Sequence, residues 1–383
     1  MQLVCPAGNL PSLKAAIDEG ADVVYLGFRD DTNARNFAGL NFNDKTLAQG
    51  LDYVRSRGRK VYVALNRCQP WRAKDNYFLE YDHMKPDTWP PPQIPPIPIE
   101  VNQAACEANL VIFVGAGVSR LMGCPSWDQF ADAALGQLVE QGLITFGDVQ
   151  QLSHLPAKLR LSISLQISES NTLDYAALIQ PEHPSNSRVY EYLKSIGCVY
   201  VTTNYDRFLD SMFGKDEPDL ICSRRQLKGL RLREPGTVIH LHGSIDKPES
   251  VIMATPQYLE HYNDEQVQDF LGELFNRHTV LFLGYGLEEW EVLEHILRKR
   301  KHYGSKQRKK FMLSGFYAHQ KKTFLHLYEY YKDAFDIHLI HFSLDHMKYV
   351  QLEKIMENWA GNLEVGYPLL ADDLEYVLRV ADE

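Results

Sequence analysis

Short apolar runs alternate along most of the chain with stretches whose apolar residues recur at helical spacing. Leu110–Val114 is wholly apolar and ends at Gly115, which predicts a short strand buried on both faces. Cys198–Val201, Thr237–Leu241, Val280–Leu283, Phe311–Leu313 and Ile337–Ile340 repeat this β-rich form. Helical patterns lie between or after most of them. Trp127 to Leu138 is one, with Ser126 placed to cap its start. The alternation predicts an α/β fold built on a doubly wound, parallel, Rossmann-like sheet. Residues 143–188 lack strand runs and read as a helical cap over the sheet. Residues 348–382 read as two helices broken across Gly361–Pro368.

The first 66 residues carry a separate pattern, a partial β-α-β-α-β fragment. Gln2–Cys5, Ala21–Leu26 and Lys60–Asn66 read as strands; Leu10–Glu19 and about Lys45 to Arg57 read as helices, the second stopped by Gly58. Seven prolines then fall between Pro86 and Pro98. Proline fixes φ and donates no hydrogen bond, so Trp89–Ile99 should be an extended, semi-rigid linker. The expected organisation is a fragment over 1–66, a linker over 67–99, a main domain over 100–345 and C-terminal helices over 346–383. Met84, just before the proline run, is the expected start of the functional part.

Composition narrows the function classes. A net charge of -10 argues against general affinity for nucleic acid, leaving at most an indirect association. The eight basic residues between Arg298 and Lys310 read as a solvated helix end and loop. The longest apolar run is far too short to cross a membrane. Six cysteines, at 5, 68, 106, 124, 198 and 222, form no C-x-x-C pair. Their scatter, with no leader, fits a reducing cytoplasm, and Cys106, Cys124 and Cys198 read as packing residues.

Candidate chemistry lies where the predicted strands end, the position at which doubly wound sheets collect ligands. Gly115-Ala116-Gly117-Val118-Ser119 follows the first apolar strand. Its glycines would let the backbone approach a pyrophosphate and offer N–H groups, and Ser119 could add a hydroxyl. Thr202-Thr203-Asn204-Tyr205-Asp206 is a dense polar cluster directly after the second strand. In His240-Leu241-His242-Gly243 both histidines fall on one face of a strand. His242, beside a glycine at the strand end, suits a ligand; His240, one step deeper, suits a structural hydrogen bond. Gly284-Tyr285-Gly286 ends a later strand.

Taken together, these strings resemble the sirtuin-like superfamily, whose marks are a G-A-G-x-S phosphate loop, a T-x-N-x-D turn, a catalytic H-G and a late G-x-S strand end. The likeness covers roughly residues 100–345, and Gly123, Pro125 and Trp127 are similar to the bacterial anti-phage defence branch. Two departures stand out. The zinc-binding cysteine pairs of deacylases are missing, so no zinc is expected. The late motif has Gly286 in place of serine and Glu289 in place of aspartate. The resemblance implies an NAD hydrolase that takes NAD as its substrate and cleaves the nicotinamide–ribose bond. Asn204 and His242 would be catalytic, His242 as general base. Gly115, Ala116, Gly117, Ser119, Thr203, Asp206 and Gly284 would bind the dinucleotide. A homo-oligomer is implied, with a hexameric translocase ATPase or another defence protein as partner. The alternative is a subunit that senses NAD or ADP-ribose without turnover.

A second resemblance is confined to the first 66 residues. Cys5-Pro6-Ala7-Gly8, Gly20-Ala21-Asp22, Tyr25-Leu26-Gly27 and Asn33-Ala34-Arg35 through Gly39-Leu40-Asn41-Phe42 look like the opening of the collagenase-like peptidase family, which includes iron–sulfur proteins of ubiquinone and RNA hydroxylation. The likeness stops after Asn66. A truncated barrel fragment without its own activity is therefore expected.

Overall fold

The computed structural model describes residues 3–26, 42, 44–63, 78–79, 89–168, 173–213, 220–286, 292–294, 296, 308–363 and 365–366. Met84, Glu289, most of the basic run and the second tail helix lie outside these residues. The chain divides into two compact units, Met1–Asn76 and Tyr77–Glu383.

The smaller unit follows the expected order: β1 (Val4–Pro6), α1 (Leu10–Asp18), β2 (Val23–Leu26), α2 (Asp44–Ser56) and β3 (Lys60–Val63). Its strands form a parallel sheet in the order β1-β2-β3. Asn9 caps α1, its side chain accepting from the Ser12 amide at 2.9 Å. Leu13, Ile17, Val24, Leu26 and Val54 close a small core.

The larger unit begins with a short parallel pair, β4 (Phe78–Leu79) and β5 (Ile97–Pro98), and α3 (Ile99–Cys106). Its main sheet comprises β6 (Leu110–Val114), β7 (Val199–Thr202), β8 (Val238–His240), β9 (Thr279–Leu283), β10 (Lys310–Phe316) and β11 (Ile337–Ser343). All neighbouring pairs are parallel, in the order β11-β10-β9-β6-β7-β8. The chain thus winds outward from β6 in one direction through β7 and β8, then returns beside β6 to wind the other way. That is the doubly wound order, with its switch point between β6 and β9.

Every residue of β6 is buried, as a strand covered on both faces requires. Ile112 and Val114 meet α9 (Val189–Ile196) and the helix Gln351–Ala360 on one face; Val111 and Phe113 meet α12 (Glu265–Arg277) and the helix Lys321–Phe335 on the other. The helical cap expected over residues 143–188 is present as α6 (Phe146–Leu152), α7 (Ala157–Ile167) and α8 (Tyr175–Ile179), and α5 (Trp127–Glu140), which lies before that stretch, joins it. Ser126 caps α5 reciprocally with Gln129: Oγ accepts from the Gln129 amide at 3.2 Å and Gln129 Oε1 accepts from the Ser126 amide at 2.9 Å. The cap has its own core, Leu135, Leu138, Leu161, Leu178 and Ile179, into which Tyr205 and Met253 reach from the sheet side.

The described part of the proline-rich run, residues 89–98, does not act as a spacer. Trp89 stacks on Phe324 and His341 and donates Nε1–H to the Ala318 carbonyl at 2.8 Å. The carbonyls of Pro92, Gln93 and Pro95 accept from Ser343 N, Gln351 Nε2 and Trp359 Nε1 at 2.8, 2.9 and 2.9 Å. Proline carbonyls remain free to accept even though the residue cannot donate, so the run ties edge strand β11 to the helix Gln351–Ala360. Residues 89–98 belong to the larger unit.

Candidate functional site

A cleft of about 620 Å3, measured out to open solvent, lies at the carboxyl ends of β6, β7 and β8 beneath the helical cap. Ala116, Ser119, Thr203, Asn204, Asp206 and His242 line it from the sheet; Trp127, Phe130, Lys158 and Ile179 line it from the cap. Six of the nine residues expected from sequence are therefore gathered at one place. Gly115, Gly117 and Gly284 are not among the lining residues, and the reason is structural.

The two glycine motifs pack on each other. Gly115 N donates to Leu283 O and Gly117 N to Gly284 O, both at 2.8 Å, while Val118 N turns back to Gly115 O at 3.1 Å. A Cβ on either Gly115 or Gly117 would stand 2.7 Å from the Gly284 carbonyl oxygen. Gly284 has φ +61°, and a Cβ there would lie 2.5 Å from the Val118 amide. These glycines are required because two backbones meet at the switch point, and the amides of Gly115 and Gly117 are already committed. Of the expected cradle of free N–H groups there remains the amide of Ala116, a cleft-lining residue whose N–H has no carbonyl partner among the described residues.

Ser119 is also fully engaged. Its single hydroxyl hydrogen goes to Asp206 Oδ2 at 2.6 Å, and its oxygen accepts from Asn204 Nδ2 at 2.7 Å. Tyr190 OH, 2.9 Å away, must then be the donor of their shared bond. Ser119 therefore organises the site from below. Both amide hydrogens of Asn204 are likewise used, the second on Gly115 O at 3.0 Å. Only Asn204 Oδ1 is left to act, as an acceptor. Asp206 is buried and also accepts from Phe208 N at 3.1 Å; burial raises its carboxyl, while the hydrogen bond from Ser119 opposes that rise.

The two histidines part company. His240 is buried away from the cleft, its Nδ1 donating to Asn204 O at 3.0 Å and its Nε2 to Asp210 Oδ2 at 2.7 Å. Burial opposes its charge, but Asp210 beside it prevails and raises the imidazole. His242 lines the cleft, with Nε2 sharing a 2.7 Å hydrogen bond with Tyr262 OH. Burial, assisted by His261 and the Lys158 ammonium, lowers it well below the ordinary histidine value, so it is neutral at pH 7. Gly243 follows at φ +87°, where a Cβ would lie 2.2 Å from Ser250 O. The H-G pairing is thus dictated by a close turn.

Several residues of the site carried no recognisable motif. Helix α11 (Thr255–Asn263) presents Tyr258, His261 and Tyr262 to His242 from one helical face, with ring centroids 5.1, 6.1 and 5.9 Å away. The spacing i, i+3, i+4 was the available signal. Tyr190 and Lys158 had none, because each reaches the site from a helix remote in sequence. Cys124 also lines the cleft, but burial first and Asp206 second push its thiol far up, away from the nucleophilic thiolate.

Residues 198–332 match the SIR2-like domain model. The matched residues lie within the larger unit, which is therefore similar to SIR2-like domains over that stretch. Residues 8–77 match the model of peptidase family U32. Among curated relatives, the chain is 28% identical over 208 residues to the NAD(+) hydrolase ThsA of Cytobacillus dafuensis, covering 52% of this chain and 40% of that one. It is 22% identical over 198 residues to Defense-associated sirtuin 2 of Bacillus subtilis, covering 50% and 19%. It is also 31% identical over 139 residues to a tRNA hydroxylation protein P of Helicobacter pylori, covering 32% of each. The chain spans well under half the length of each of these relatives. Among the described residues, no helix is long and apolar enough to cross a membrane.

Proposed function

We propose that the SIR2-like domain hydrolyses NAD to nicotinamide and ADP-ribose and serves in anti-phage defence. The observation that carries the chemistry is the pairing at one cleft of Asn204, with only Oδ1 left to act, and a neutral His242. The similarity to proteins named as an NAD(+) hydrolase and a defence-associated sirtuin supports the same substrate and setting.

Nicotinamide leaves NAD as a neutral molecule, because the pair of electrons of the glycosidic bond returns to its positively charged ring nitrogen. The bond needs little acid assistance, and the ribose passes through an oxocarbenium-like state. Catalysis then consists of holding the ribose and delivering water. Asn204 Oδ1 accepts a hydrogen bond from a ribose hydroxyl or from the attacking water. His242 takes the proton that water loses when its oxygen bonds to the anomeric carbon. A low-pKa imidazole is a modest base, but water attacking an oxocarbenium ion needs only a modest one.

Chromatography of NAD incubated with the purified protein tests this reading. Release of nicotinamide by the wild type and not by Asn204→Ala is the expected result. Tight retention of unchanged NAD by the wild type would instead favour a sensing subunit.

A further inference from the structure

A dinucleotide brings two negative charges on its diphosphate into a site that already holds the buried Asp206. Of the loop expected to receive them, Gly115, Gly117 and Val118 have spent their amides on backbone carbonyls, and the Ser119 hydroxyl is saturated. Charge of the opposite sign must come from elsewhere, since an unneutralised anion is costly to bring into a partly closed cleft.

Among the described residues lining the cleft, Lys158 is the one lysine or arginine. Its ammonium lies 5.1 Å from the centroid of the Tyr258 ring and 5.9 Å from that of Trp127, which hold it against the cleft wall by cation–π attraction. It occupies the first turn of α7, a turn that contains no acidic residue. The helix dipole disfavours a cation there, so local helix stability does not account for it. The residue as a whole is half-buried, between Trp127 of the cap and Tyr258.

We propose that Lys158 is the diphosphate-recognising residue of this cleft, and that it selects for ligands with two bridged phosphates. The inference rests on the dinucleotide reading of the site and adds to it a division of labour. The sheet supplies the chemistry through Asn204 and His242; the cap supplies affinity through Lys158, with the Ala116 amide as the loop's remaining donor. A lysine suits this role as a compact point charge able to meet either phosphate.

Titration calorimetry with ADP-ribose, nicotinamide riboside and adenosine, on wild type, Lys158→Met and Lys158→Arg, tests the proposal without needing turnover. Circular dichroism confirms that each variant is folded. Lys158→Met should weaken ADP-ribose by about tenfold or more, while Lys158→Arg recovers most of the loss. Nicotinamide riboside and adenosine, which lack the diphosphate, should bind all three proteins alike. A folded Lys158→Met protein that binds ADP-ribose as tightly as wild type would overturn the proposal and leave the hydrolase reading standing. Lysine-dependent ADP-ribose binding without cleavage of NAD would support the proposal and remove the hydrolase. A wild type that binds neither ADP-ribose nor NAD would overturn both.

Discussion

The buried imidazole of His240 donates to the backbone carbonyl of Asn204 at 3.0 Å, and its other nitrogen is held by Asp210 at 2.7 Å. The strand-end histidine that does not face the cleft thereby fixes the turn carrying the asparagine that does. Breaking a buried, hydrogen-bonded ion pair by removing one partner leaves the other charge uncompensated. Asp210→Asn and His240→Ala should each cost about 3–5 kcal/mol in denaturant unfolding. Both should impair turnover, although neither residue is placed to touch substrate.

Stability should peak between two histidine-driven limbs. Burial lowers His261, His278 and His338 to about 4. Their unfolded counterparts titrate near 6.5, so between these values the unfolded chain binds more protons and stability falls as pH drops from about 6.5 to 4. His240 has the opposite sign. Its pKa is raised in the folded protein, so its contribution is complete below about 6.5 and is lost as pH rises through the raised value. Urea unfolding across pH 4–9 checks both limbs, and His240→Asn should flatten only the alkaline one.

Turnover should survive mild acid. Because burial, His261 and Lys158 hold His242 well below its usual value, the imidazole stays neutral and basic below pH 6.5. The acid limb of a pH–kcat profile should therefore lie below that of an ordinary histidine. A limb at 6.5 or above would remove His242 as the base.

The glycine contacts predict a contrast between positions. Gly284→Ala meets both a φ of +61° and the Val118 amide at 2.5 Å, and should cost about 1–3 kcal/mol and disturb the Ala116 turn. Gly136 lies inside α5, where a Cβ would meet nothing within 4 Å. Gly136→Ala should stabilise by about 0.5–1 kcal/mol. Thermal unfolding of the two variants beside wild type measures the difference.

Much of this was legible in sequence because each strand of a doubly wound sheet is a short apolar run ending in turn chemistry. Leu110–Val114 reads as a strand from its composition alone. The reading of β10 as Phe311–Leu313 fell short of Lys310–Phe316 because Lys310, Ser314 and Gly315 break the apolar run. Lys310 is buried nonetheless, with its ammonium 3.8 Å from Asp336. The positions of Asn204 and His242 could also be read, since each lies two residues beyond the end of a strand. What the glycines do there could not be read. Gly117 and Gly284 are 167 residues apart, and only the meeting of β6 and β9 shows that their amide and carbonyl satisfy one another. The contributions of Tyr190 and Lys158 were hidden for the same reason, because they depend on which helices pack around the site.

The decisive measurement is the rate of nicotinamide release from NAD by the wild-type protein beside Asn204→Ala and His242→Ala. Both variants should fold and both should lose turnover by about 100-fold or more. Wild-type release unaffected by either substitution would show that NAD is cleaved elsewhere, and would contradict the assignment of this cleft.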